Sequence, residues 1–227
     1  MTGAEIDRTE GASYYEALAG RLYAAVVSDV LDGLGRRDRV LAPGLTPVVA
    51  GDWTLVGRAR TARAVPVSER PAEPYALLLR MIDAMEGGDV LVLAGGGRVS
   101  SGLFGGLLAT AVQAAGGRGA VVDGGTRDVR ELNRLGFPTL ARGASPADSL
   151  ARDEVVAIDE PVECGGVRIE SGDLVVADAD GTVVVPSALE REVVALALEK
   201  VGGENHMRRD LANGMKASDA FARYGIL

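Results

Sequence analysis

The sequence predicts one α/β domain with mixed strands and helices appended at both ends. Three observations carry that reading. The stretch GDVLVLAGGGRVSSGLFGGLLATAVQAAGGRGAVVDGGTRDVRELNRLGFPTLARG alternates short apolar strands with helical runs, and such short connections imply parallel strands joined by right-handed crossovers. The following EVVAIDEPVECGGVRIESGDLVVADADGTVVVP is nearly all strand and turn. Helical spacing returns on both flanks. A chain of 227 residues, 47% of them apolar, is also long enough to bury a substantial core.

Taken in order, residues 14–34 place Leu18, Leu22, Ala25, Val26, Val30 and Leu34 near helical spacing, closed by Gly33 and Gly35. Residues 1–35 are therefore read as N-terminal helices. LAPGLTPVVAG is a turn-rich connector, and WTLVGRARTARAVPV reads as one or two strands bending at Gly57. Residues 74–85 are helical in pattern. DVLVLA is a buried strand, Gly95, Gly96 and Gly97 form a turn, and residues 102–115 read as a small-residue helix. AVVDGG is the second buried strand, residues 127–135 a helix, and PTLARG the third strand. Asp180 and Gly181 separate LVVA from TVVVP as a hairpin turn. Residues 187–227 form a charged helical tail ending in Ile226 and Leu227. With no repeat or low-complexity linker, residues 1–227 are expected to form a single domain.

Composition excludes several chemistries. A net charge of −8 offers no basic footprint for direct nucleic-acid binding. The longest uncharged stretch, residues 99–117, is interrupted by glycines and polar residues, so no transmembrane helix is read. The acidic start MTGAEIDRTEGASYY lacks a secretory signal's basic and apolar regions, so a cytoplasmic location is expected. The one cysteine, Cys164, permits no internal disulfide and reads as a small apolar filler. The one histidine, His206, has no second histidine at metal-ligand spacing, and no GxSxG elbow is present. Lys200 and Lys216, the only lysines, lie in the tail, away from any pocket that could desolvate a Schiff-base amine. Carboxylates, arginines, backbone amides and a metal ion are what remains.

Two turns could gather such groups. Gly95, Gly96 and Gly97 lead from a strand towards a helix, where amides and the helix dipole favour an anion; the same glycines also serve close packing. No lysine completes a Walker pattern. Gly95, Gly97 and Ser100 only approximate a dinucleotide fingerprint, with Asp123 as the ribose-binding acid. The second turn, DGGTRD, holds Asp123, Arg127 and Asp128. Both turns fall at the carboxyl ends of neighbouring parallel strands, where open α/β sheets bind ligands. Arg127 could grip a carboxylate bidentately and Asp128 could hold a hard cation. Alternatively, Asp128 caps its helix and Arg127 pairs with a surface acid.

FGGLLA, VVDGGTRD and GFPTLARG, in that order, resemble the family joining the regulator of ribonuclease activity A to the metal-dependent 4-hydroxy-4-methyl-2-oxoglutarate/4-carboxy-4-hydroxy-2-oxoadipate aldolases. The resemblance extends to VSDVLDGLG, GDLVVADADGTVVVP and FARYGIL. It implies a swivelling β/β/α fold, a trimer or hexamer, and a site between subunits. It further implies that Arg127 binds the pyruvate carboxylate and that Asp128 holds Mg²⁺ or Mn²⁺. Gly105, Gly106, Leu107 and Leu108 would line the substrate, the amides of Leu107 and Leu108 contacting the 2-oxo acid. A further acid is expected from a neighbouring subunit's C-terminal helix, with Glu204 the best match and Glu199 the second. Aldolases of this family commonly carry a carboxylate where this chain has Gly106. Asp29 and Asp32 are given structural roles.

The expected function is therefore a metal-dependent (class II) lyase on a 2-oxo acid, by retro-aldol cleavage releasing pyruvate or oxaloacetate-type decarboxylation, through a metal-stabilised enolate. Residues 97–108 would supply amide donors. The rival expectation is a non-catalytic regulator whose acidic surface engages a protein such as a ribonuclease.

Overall fold

The computed structural model describes residues 11–226. Residues 1–10 of the expected N-terminal helices, and Leu227 of the terminal apolar pair, lie outside the described residues. The helices are α1 (Ala12–Ala19), α2 (Ala24–Gly33), α3 (Ala76–Asp83), α4 (Gly106–Ala114), α5 (Val129–Leu135), α6 (Glu190–Ala212) and α7 (Ala217–Tyr224). The strands are β1 (Thr46–Pro47), β2 (Leu55–Pro66), β3 (Asp89–Phe104), β4 (Gly119–Thr126), β5 (Thr139–Ala144), β6 (Asp153–Ile158), β7 (Val162–Cys164), β8 (Val167–Ile169), β9 (Leu174–Asp178) and β10 (Gly181–Val185). None of these helices is long and apolar enough to cross a membrane.

Eight strands form one mixed sheet in the order β1-β5-β4-β3-β2-β9-β10, with β6 also paired to β2. β2, β3, β4 and β5 run parallel, as the alternating strand and helix pattern requires. β9 and β10 form the expected antiparallel hairpin around Asp180. β7 and β8 make a separate two-stranded ribbon.

Strand periodicity assigns the layers. In β3, Leu91 and Leu93 face a core shared with α3, α4 and α5, while Val90, Val92 and Ala94 face a second core containing Val162, Cys164, Val167 and Ile169 of the ribbon. In β2, Val56 joins the core under α1, α2 and α6, on the same parity as Ala62 and Ala64 under α3. Leu55 and Ala59 face the ribbon side. Helices thus cover one face of the sheet and a β layer covers part of the other, a three-layer β/β/α arrangement. Burial on both faces explains why these strands read as continuous apolar runs.

One boundary differs from the sequence expectation in a way that moves the site. The glycine run does not end its strand. Gly96 and Gly97 take φ of +65° and +74°, and the kinked β3 resumes pairing with β4 through Arg98↔Gly124, Gly102↔Gly125 and Phe104↔Thr126. The helix expected over 102–115 begins only at Gly106. β2, read as one or two strands, is a single strand through Gly57.

Candidate functional site

β3 and β4 are neighbours, so the turns leaving their carboxyl ends meet. The Arg127 amide donates to the Phe104 carbonyl at 2.8 Å, and Thr126 Oγ1 donates to the same oxygen at 2.8 Å. These bonds fix the β4-to-α5 turn against the start of α4. Asp128 then adopts φ +56°, the left-handed region, which a short polar side chain tolerates better than most. Its side chain turns to the neighbouring helix. Asp128 Oδ2 accepts from the Gly106 amide at 3.1 Å, so Asp128 caps α4 and makes no side-chain cap to its own α5.

Close approach is possible because side chains are absent. A Cβ on Gly102 would lie 2.8 Å from Arg127 Cβ, and one on Gly105 would lie 2.8 Å from both Arg127 Cγ and Asp128 Oδ2. At Gly106 a Cβ would meet Glu131 Cγ at 2.8 Å. Glu131 thus fills the space a side chain at position 106 would take, and its carboxylate pairs with Arg134 at 2.6 Å. That pairing holds its pKa below the ordinary carboxylate range. In the first turn of α4, Leu107 and Leu108 follow Gly106 with amides that have no carbonyl of the helix to bond. The Leu107 side chain is 85% exposed.

The Arg127 guanidinium has two acidic neighbours. Nε lies 3.8 Å from Asp128 Oδ2, and Nη1 lies 3.3 Å from Asp148 Oδ1. Asp148 also accepts from Tyr75 Oη at 3.2 Å and from the Leu150 amide at 3.2 Å. The Leu150 amide first, then Tyr75 and Arg127, hold the Asp148 carboxyl below its usual range. Sequence reasoning passed over Asp148 and Tyr75. Both sit in loop or helix-entry segments without a spacing pattern to mark them.

Other expected residues fall elsewhere. Asp123, considered as a ribose-binding acid, is buried and engaged, accepting from Arg142 Nε at 2.7 Å and from the Gly165 amide at 3.0 Å. That removes the dinucleotide reading. Gly95, Gly96 and Gly97 lie within β3 and open no helix, so the anion cradle expected there, and amide donors expected along 97–108, reduce to the start of α4. Glu204, on α6, accepts from Tyr23 Oη and lies 4.0 Å from Arg208; among the described residues nothing joins it to Arg127 or Asp128. Glu199 and His206 are exposed. Lys200 pairs with Asp29 at 2.7 Å, tying α6 to α2, while Asp32 and Lys216 are exposed. Cys164 is buried, which pushes its thiol's pKa up.

A divalent ion can be weighed against this donor set. Among the described residues no three His, Cys, Asp or Glu side chains form a ligand cluster. Asp128 does fit the mode in which Mg²⁺ keeps most of its water and takes one or two carboxylates. Its side chain is half exposed, and only Oδ2 is engaged by the Gly106 amide.

A guanidinium, a half-exposed carboxylate and the first-turn amides of α4 meet at adjoining β–α turns of a mixed α/β fold. More particularly, the chain belongs to the Aldolase/RraA family, whose RraA-like model matches residues 24–184. A Halalkalibacterium halodurans protein named "Putative 4-hydroxy-4-methyl-2-oxoglutarate aldolase" is 33% identical over 195 residues, covering 86% of this chain and 87% of its own. A Thermus thermophilus 4-hydroxy-4-methyl-2-oxoglutarate aldolase is 35% identical over 136 residues, 60% of this chain and 78% of its own. The crystal structure of Streptomyces coelicolor RraAS2, described as an unusual member of the RNase ES inhibitor RraA protein family, superposes with a TM-score of 0.78. It has 33% identity, covering 88% of this chain and 99% of that one.

Proposed function

We propose that the protein is a divalent-metal-dependent carbon–carbon lyase acting on a 2-oxo acid. The activity is retro-aldol cleavage releasing pyruvate, decarboxylation of an oxaloacetate-like substrate, or both. The observation that carries this reading is the convergence of Arg127, Asp128 and the first turn of α4, made possible by Gly102 and Gly105. The names of the aldolase relatives supply the substrate class.

Each group then has a task. Arg127 binds the substrate carboxylate through its planar fork, and the amides of Leu107 and Leu108 add donors at the positive end of α4. Asp128 would hold Mg²⁺ or Mn²⁺, with Glu204 of a neighbouring subunit as the further acid in a trimer or hexamer. When bound, the ion supplies Lewis-acid polarisation of the 2-oxo group. In the retro-aldol direction the C4 hydroxyl loses its proton and the C3–C4 bond breaks. The electron pair passes to the pyruvate half, where Arg127 and the helix amides favour the added charge. With glycine at 106, the proton passes through water or another acid, and Glu131 is the carboxylate packed over that glycine.

A coupled pyruvate assay with 4-hydroxy-4-methyl-2-oxoglutarate and with oxaloacetate, with and without Mn²⁺, tests the proposal. Turnover should require the metal and borohydride should trap nothing; an adduct on Lys200 or Lys216 would refute it. Light scattering should give a mass of three or six chains, and a monomer would remove the part given to Glu204. The RraAS2 likeness and the absence of a carboxylate at 106 favour one second reading, a protein-binding regulator. Metal-independent binding to a ribonuclease without turnover of either acid would establish it.

A further inference from the structure

Arg127 does not lie free in its opening. Its Nη1 meets Asp148 Oδ1 at 3.3 Å, and Asp148 is itself held from two other directions, by the Tyr75 hydroxyl and the Leu150 amide. These contacts come from three distant parts of the chain: the entry to α3, the turn after β4 and the loop after β5. The loop is anchored independently, because the Gly102 amide donates to the Ala147 carbonyl at 2.9 Å and the Ser145 amide donates to the Thr126 carbonyl at 2.8 Å. Tyr75 holds φ +64° and Ala151 φ +58°, left-handed conformations that persist in such residues only where surrounding structure over-determines them.

Charge and geometry together give this arrangement a direction. Asp148 faces one terminal nitrogen of the guanidinium as an ion pair, and among the described residues no guanidinium nitrogen of Arg127 has a hydrogen-bond partner, so its donors stay available. A long side chain packed at its stem against Gly102 and Gly105 and drawn at one nitrogen towards a carboxylate keeps less rotamer freedom before any ligand arrives, so less order remains to be imposed on binding. We propose that Asp148, fixed by the Tyr75 hydroxyl, is a positioning residue that presents Arg127 to the carboxylate of an incoming 2-oxo acid. This rests on the anion-binding role given to Arg127 above and adds the device that orients it.

The test is a double-mutant cycle read by oxalate binding in a calorimeter with Mn²⁺ present, and by kcat and KM for the active 2-oxo acid. Asp148→Asn keeps the shape and can still accept from Tyr75 and Leu150, but it loses the charge facing Arg127. It should weaken oxalate binding and raise KM by about 5- to 30-fold, leaving kcat within about twofold. Tyr75→Phe should act the same way by about 2- to 5-fold, and it serves as the second variant if Asp148→Asn melts early. In an Arg127→Ala background neither change should weaken oxalate binding further. Additive losses in that background would make Asp148 merely structural and overturn the proposal while leaving the site reading intact. Tighter oxalate binding by Asp148→Asn would show that Asp148 competes with the ligand, and would also overturn it. Unaltered oxalate binding by Arg127→Ala alone would instead refute the site reading itself.

Discussion

β4 feeds two arginine–carboxylate clusters that differ in one respect. Asp123, within the strand, accepts from Arg142 and the Gly165 amide, while Arg142 also donates to the Pro43 carbonyl at 2.8 Å. Those side chains are 6% and 21% exposed, against 45% and 35% for Asp148 and Arg127. The inner cluster is closed, with both carboxylate oxygens engaged by the chain's own donors, and it ties β4 and β5 to the β7–β8 ribbon. The outer cluster leaves donors over. A charged pair that satisfies itself holds the fold, whereas one with unspent hydrogen-bonding capacity can bind something else.

The largest expected effect breaks the inner cluster. Asp123→Ala strands a half-buried guanidinium and a buried amide, and should lower stability by about 3–5 kcal/mol, read as a shift in denaturant midpoint. Loss under about 1 kcal/mol would mean that the two clusters do not differ in kind. Arg127→Ala should do the reverse. Stability should change by no more than about 0.5 kcal/mol, while kcat/KM falls by about 30- to 5,000-fold, or about 2–5 kcal/mol. Arg127→Lys should rescue poorly, because an ammonium cannot reproduce the planar fork.

Asp128→Ala falls between the two types. It removes the carboxylate that caps α4, costing about 1 kcal/mol of stability, and should lower Mn²⁺ affinity in a direct titration. Excess Mn²⁺ should restore part of its activity and none of that lost in Arg127→Ala; equal rescue of both would erase the division of labour.

The smallest effect belongs to the Tyr23–Glu204 contact on the helical flank. Burial first, then the Glu204 carboxylate, raises the Tyr23 phenol from about 10 to about 12. A raised folded-state value means that this stabilisation is complete below pH 10 and is lost as pH rises through about 12. Tyr23→Phe should cost about 1 kcal/mol at neutral pH and should remove that alkaline increment from the pH dependence of unfolding. An unchanged alkaline profile would place the titration elsewhere.

The parallel strands were legible because DVLVLA, AVVDGG and PTLARG are apolar on both faces and short connections leave little choice of topology. Arg127 and Asp128 were legible as neighbours at a strand end. The β3-to-α4 boundary was not: a glycine run usually marks a turn, and only the resumed pairing with β4 shows that Gly96 and Gly97 kink the strand. Nor did the residues at Asp128 say which helix it caps, since the partner amide at Gly106 is 22 positions away. Asp148 and Tyr75 are 73 positions apart and carry no periodic signal. Asp123 read as a ligand-binding acid because its strand-end position is visible in sequence, whereas its partner Arg142 is supplied by another strand.

Alanine scanning finds working residues by taking atoms away, and at Gly102 and Gly105 there are none to take. What operates there is the hydrogen in place of a methyl group, which lets the Arg127 stem rest against the chain. A lineage can therefore lose this site while every arginine and aspartate in it stays in place. One added carbon displaces the guanidinium, so an inventory of polar residues would score such a protein as intact.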